Sequence, residues 1–145
     1  MGHWQDEQAA IEGRFATTWS TTTAVRYANS KKEMALGTEF VAVDILPAGS
    51  EVASVGRPPL RRYRGVVQVT IFVPQGTGSK RVNTLAETAE GAFWDSTTGV
   101  GRQLASGSNG TITFETPPTR RPGNPEAGWH VVVMEFPFYR DQRGT

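Results

Sequence analysis

The chain has 145 residues, a formal net charge of +1 and no cysteine. That length suits a single domain with its own core, and the composition excludes disulfides and thiolate metal sites. A charge so near zero projects no field that would gather nucleic acid or an anionic membrane, and no apolar run approaches a membrane span.

The opening residues, MGHWQDEQ, are polar and lack the apolar stretch of a secretory signal. Met1-Gly2-His3 resembles a cloning remnant, so no role is assigned to His3. The first element reads as a helix. Trp4, Ile11, Phe15 and Trp19 recur at spacings that put them on one face, with Gln5, Glu7, Glu12 and Arg14 away from it. Hydroxyl residues from Thr18 to Ser20 compete for the backbone and should end it. A short extended segment is expected within Thr21 to Asn29, through Val25 and Tyr27.

Thr38 to Leu46 alternates as a strand. Val41, Val43 and Ile45 share a face with Glu39, while Phe40, Ala42, Asp44 and Leu46 take the other. Pro47-Ala48-Gly49-Ser50 is expected to stop it. Glu51 to Val55 is readable as a short strand or as loop, and Gly56 to Leu60, with Pro58-Pro59, as irregular. Val66 to Val73 is the clearest strand. Val67, Val69, Ile71 and Val73 make one wholly apolar face, opposite Val66, Gln68, Thr70 and Phe72. Pro74 closes it.

A helix then starts near Ser79. Its buried stripe is Val82, Leu85, Ala86, Ala89 and Phe93, and Arg81, Thr84, Glu87 and Thr88 face out. It should lie on the apolar face of the preceding strand. Gly99 to Ser106 is a weak strand signal, Asn109-Gly110 a hairpin turn, and Thr111 to Glu115 a short strand with Ile112 and Phe114 on one side. Thr116 to Gly128 reads as a proline-rich loop carrying Arg120 and Arg121. Trp129 to Tyr139 is the last strand, apolar on both faces, hence central or pressed against another chain. Strands and helices in this order are expected to make a small α+β chain, a single domain of residues 1–145.

Motifs for chemistry are sparse. Gly76-Thr77-Gly78-Ser79-Lys80-Arg81 sits between strand and helix. It lacks the glycine before lysine and the hydroxyl after it that a phosphate loop needs. Arg81 occupies the place of a dinucleotide fingerprint's third glycine. The helix start alone can attract an anion, so a small ligand-binding or hydrolytic α+β domain stands as one reading. His3 and His130 are the two histidines, and His130 lies within a strand. The carboxylates Asp44, Glu87, Glu90, Asp95, Glu115 and Glu135 are scattered. No catalytic residue, cofactor site or metal site is assigned, and the chain is read as not an enzyme. Arg57, Arg61, Arg62 and Tyr63 around Pro58-Pro59, Arg120 and Arg121 in the second loop, and Trp129 and His130 entering the last strand are the candidate interface residues. Arginine with aromatics favours protein contacts, and the near-zero net charge argues against nucleic acid.

Three stretches together resemble the siphophage tail terminator family. One is Gly65-Val66-Val67-Gln68-Val69-Thr70-Ile71-Phe72-Val73-Pro74 with Gly76-Thr77-Gly78 and the helix carrying Asn83, Leu85, Ala86 and Phe93. Another is Ile11-Glu12-Gly13-Arg14-Phe15 with Trp19 and Val25-Arg26-Tyr27-Ala28-Asn29. The third is Val133 to Tyr139 with Phe136-Pro137-Phe138. Pro47 to Leu60 and Thr116 to Gly128 match no named pattern.

The resemblance implies an α+β fold, a mostly antiparallel, twisted sheet with helices packed on one face, and a structural virion protein without cofactor. It would form a homo-hexameric ring at the head-proximal end of the tail tube, ending polymerisation and joining the tail to the head connector. The implied partners are copies of itself, the major tail tube protein and the head–tail connector or neck protein, with DNA passing through the centre unread. The implied location is the virion tail or neck, after assembly in the host cytoplasm. A head-completion or neck protein is the neighbouring reading.

Overall fold

The structure, a computed structural model, describes residues 2–20, 22–27, 38–56, 59–76, 78–107, 109–123 and 128–143. Its elements in chain order are α1 (His3–Trp19), β1 (Ala24–Tyr27), β2 (Phe40–Val52), β3 (Leu60–Pro74), α2 (Ser79–Phe93), β4 (Trp94–Asp95), β5 (Val100–Gly101), β6 (Gln103–Ala105), β7 (Thr111–Thr113), β8 (Thr119–Pro122) and β9 (Trp129–Arg143). Among the described residues, seven strands form one sheet. Its order is β1-β2-β3-β9-β7-β6, with β8 also pairing β9, while β4 and β5 make a separate small ladder. β1 runs parallel to β2, and every other pairing is antiparallel.

The sheet is built around two long strands. β3 and β9 pair from Leu60↔Arg143 to Pro74↔Trp129 without a shift in register. Val67, Val69, Ile71 and Val73 therefore share a face with Phe136, Met134 and Val132. The buried residues of both helices, among them Ile11, Phe15, Leu85 and Phe93, belong to the same core cluster. Phe93 anchors it. Its ring lies 4.8 Å from Phe114 and 5.1 Å from Phe136, and burial of such a side chain contributes about 1.5–3 kcal/mol. On the opposite face Phe40, Ala42, Phe72 and Val131 form a second, smaller cluster, edged by Trp129. β9 is buried on both faces because it is central. β3 flanks one edge, and β7 and β8 flank the other.

Several expectations change. β2 does not stop at Pro47. It continues to Val52, with a register irregularity between Pro47 and Gly49, where Gly49 takes a φ of 118°. Beyond Val43, among the described residues, β2 pairs on one side only, so a proline costs it no second ladder. β3 begins at Leu60, six residues before the apolar alternation. The expected loop from Thr116 to Gly128 contains β8, so Arg120 and Arg121 are strand residues. The weak strand signal at Gly99 to Ser106 resolves into β5 and β6. The Asn109-Gly110 turn is present, with Ser106 donating to Gly110 O at 3.0 Å and Gly110 at a φ of 91°. β1 occupies the middle of its expected segment; Thr21, Ala28 and Asn29 lie outside the described residues. α1 ends as expected, Ser20 N–H closing on Ala16 O.

Candidate interaction surface

Arg61, Arg62 and Tyr63 lie on the first half of β3, where alternation sends their side chains to different faces. Arg62 pairs with Asp141 of β9 through two bonds, Nε to Oδ1 at 2.7 Å and Nη2 to Oδ2 at 2.8 Å, and sits 4.3 Å over the Tyr139 ring. This hydrogen bond holds the Asp141 carboxyl below the usual carboxylate range and raises Arg62 above the usual arginine value. Tyr63 faces the other way, against His3 (4.9 Å), Trp4 (5.2 Å) and the guanidinium of Arg140 (4.8 Å). Arg61 is exposed. Arg57 and Pro58 lie outside the described residues.

On β8, Arg121 pairs with Glu135 at 2.5 Å, and Arg120 is exposed and makes no ion pair among the described residues. Trp129 packs edge-on to Phe40 and Phe72 at 5.4 and 6.2 Å. His130 points to the opposite face and borders a cleft of about 340 Å³ with Pro74, Gln75, Gly76, Gly78 and Ser79. That cleft lies beside the glycine turn, but among the described residues His130 is the one titratable side chain lining it, and Lys80 does not contribute. Thr77 lies outside the described residues.

The candidate residues thus fall into three places rather than one patch. Arg61 to Tyr63 oppose Arg140 to Gln142 at one end of β9, Trp129 and His130 begin its other end, and Arg120 and Arg121 flank its middle. Ten residue steps along β9, from His130 to Arg140, separate the ends, on the order of 33 Å. The end holding Arg61 also carries exposed Val52, Val55 and half-exposed Trp4. Tryptophan, tyrosine and arginine together are the side chains most often decisive at protein interfaces.

Sequence reasoning missed the group beneath that end. Arg140 is fully buried and donates from Nε to Glu7 Oε2 at 2.9 Å; its Nη1 donates to Asn109 O and Gln142 Oε1, and its Nη2 lies 2.9 Å from His3 Nδ1. Glu7, expected outside the helix stripe, is buried, while Trp4, expected on it, is 50% exposed. The start of α1 overhangs the polar end of β3 and β9, so the stripe's first turn meets Arg140 and Tyr63 instead of apolar core. A signal did exist: Glu7 precedes Ile11, Phe15 and Trp19 at a constant spacing of four, and Arg140 extends the alternate series Val132, Met134, Phe136, Phe138. His3, left without a role, packs in this group. Arg81, expected to face out, is half-buried and donates from Nε to Glu39 Oε1 at 2.9 Å, tying the first turn of α2 to the residue before β2.

Among the described residues no group of three His, Asp or Glu side chains is placed to hold a metal ion, and no helix is long and apolar enough to cross a membrane.

Residues 8–138 match a family described as "Phage tail terminator protein". A solved structure of a protein without a functional name covers 98% of this chain and 97% of its own, at 22% identity and a TM-score of 0.72. A chain of the virion of a native gene transfer agent particle covers 94% of each at 16% identity and a TM-score of 0.51. At those identities the likeness speaks to the fold. No curated protein matches.

Proposed function

Since this chain belongs to the phage tail terminator family, we propose that it is the ring subunit that caps the head-proximal end of a siphophage tail tube. In this reading six copies of a single-domain chain close into a ring, end tube polymerisation and present a face to the head connector, with DNA passing through the middle. The ring is built in the host cytoplasm and stays in the tail or neck of the virion.

The carrying observation is the span of the family match. It runs from α1 to the end of the Phe136-Pro137-Phe138 series, across both segments that resembled no named pattern. A cap of this kind works by matching the tube on one side and failing to match it on the other, which needs complementary surfaces and no catalysis. A closed ring of identical subunits uses two different patches per subunit. The separated surfaces along β9 supply candidates: Arg61 with Trp4 and the β2–β3 hairpin at one end, Trp129 and His130 at the other, and Arg120 at the edge strand.

The test is solution mass by light scattering, with negative-stain images of the same peak, for the chain alone and with tail tubes. The expected result is a six-fold ring with a central opening, alone or on tube ends. A chain that stays monomeric in both conditions contradicts the reading.

A further inference from the structure

The last turn of α2 ends against two arginines from other elements. Arg14, on α1, donates from Nε to Ala92 O at 2.8 Å and from Nη2 to Gly91 O at 3.4 Å. Arg102, between β5 and β6, donates from Nε to Gly91 O at 2.8 Å. These bonds cap carbonyls that a helix end leaves without partners. They leave most N–H donors of both guanidiniums unused among the described residues. Neither arginine has a carboxylate at ion-pairing distance there.

Both lie at a cleft of about 300 Å³, whose wall includes Val100 and Leu104. Arg102 is set in place by its neighbour. A Cβ on Gly101 would lie 1.4 Å from Phe114 O, so that backbone passes where only glycine fits. Burial and the charge of Arg102 together hold Arg14 below the usual arginine value. Asp95 also lines the cleft, but its Oδ1 already accepts from Thr97 N at 3.0 Å and Thr98 N at 3.4 Å.

We propose that this cleft is a carboxylate site that receives a glutamate side chain from a neighbouring protein subunit. Two half-buried cations converge on one helix end and, among the described residues, share their cleft with a single carboxylate, Asp95, so a further anion relieves their repulsion. The free edge of a guanidinium presents parallel donors that match a planar carboxylate. Val100 and Leu104 offer a wall for the methylenes of the glutamate stem. A monoanion fits better than phosphate, because Asp95 also borders the cleft and the carbonyl end of α2 lies against the same two arginines, and both repel a dianion more. That the glutamate comes from a protein subunit rests on the virion reading above; the site itself does not.

The test follows the arginine Nε–Hε signals of the isotope-labelled full chain by NMR during titration with butyrate, at constant ionic strength, with inorganic phosphate in parallel. Saturable shifts of Arg14 and Arg102 in the millimolar range are expected. Arg102→Gln should lower butyrate affinity at least about tenfold, while its thermal midpoint stays near that of the parent. Should that variant not fold, Thr98→Glu, at an exposed position of the lining, serves instead: a carboxylate supplied by the chain itself should abolish the response. Shifts that never saturate, or that persist in these variants, overturn the proposal. Saturation by phosphate at lower concentration than butyrate overturns the carboxylate assignment and makes the cleft a phosphate site. All arms read the isolated chain, so a failure here leaves the ring reading standing, and a failure of ring assembly leaves these results intact.

Discussion

At the scale of single residues, the buried pair Glu7 and Arg140 has the largest consequences. Glu7→Ala leaves a guanidinium without its carboxylate in a site closed to solvent, and an unfolding free energy lower by about 3–5 kcal/mol is expected in urea titrations. Glu7→Leu with Arg140→Met removes both charges and should cost much less; a double variant as unstable as the single one would show that the pair is not the cause. Asp141 contributes a pH dependence of its own. Arg62 lowers its pKa, so its contribution is complete above the unfolded carboxylate value and is lost as pH falls through the folded one. The stability gap between parent and Asp141→Asn should therefore be present at neutral pH and shrink through the acidic range, read as urea midpoints against pH. A gap that stays constant would remove Arg62 as its source. The pair at Arg62 was not legible in the sequence, because its partner stands 79 positions away on the neighbouring strand.

At the scale of elements, local pattern was enough where one element carried its own apolar periodicity. α2 and the second half of β3 read off the sequence for that reason. The first half of β3 did not. Leu60 to Gly65 has no clean alternation, and it is a strand because β9 offers it a ladder over the full length. β2 runs past Pro47 for the same reason, held by β3. β8, rich in arginine and proline, is extended because β9 pairs with it. Long-range pairing is the term that local propensity omits. Core and hairpin should respond differently to truncation. Phe93→Ala, between Phe114 and Phe136, is expected to cost about 3–5 kcal/mol in chemical denaturation. Val55→Ala, at a fully exposed position, should stay within about 0.5 kcal/mol of the parent. A large loss at Val55 would mean that the hairpin is covered in solution.

At the scale of the whole molecule, the candidate interface residues could be named from the sequence, but their arrangement in space could not. Arg61 and Arg62 are neighbours in the chain and face opposite sides of the sheet; Trp129 and His130 do the same. Reversing Arg61 and Arg62 together would also set a glutamate against Asp141, confusing assembly with folding. Arg61→Glu with Arg120→Glu is the cleaner pair, since both are exposed and neither makes an ion pair among the described residues. That variant should keep the parent's thermal midpoint and sediment as smaller species than the parent; unchanged assembly would remove these two arginines from the interface. The central claim, that the chain ends a growing tube, is tested most directly by adding it to elongating tail tubes and measuring their length distribution by electron microscopy. The account requires that elongation stop with a six-fold density on one end of each tube. Tubes that keep growing, with bare ends at saturating protein, would contradict it.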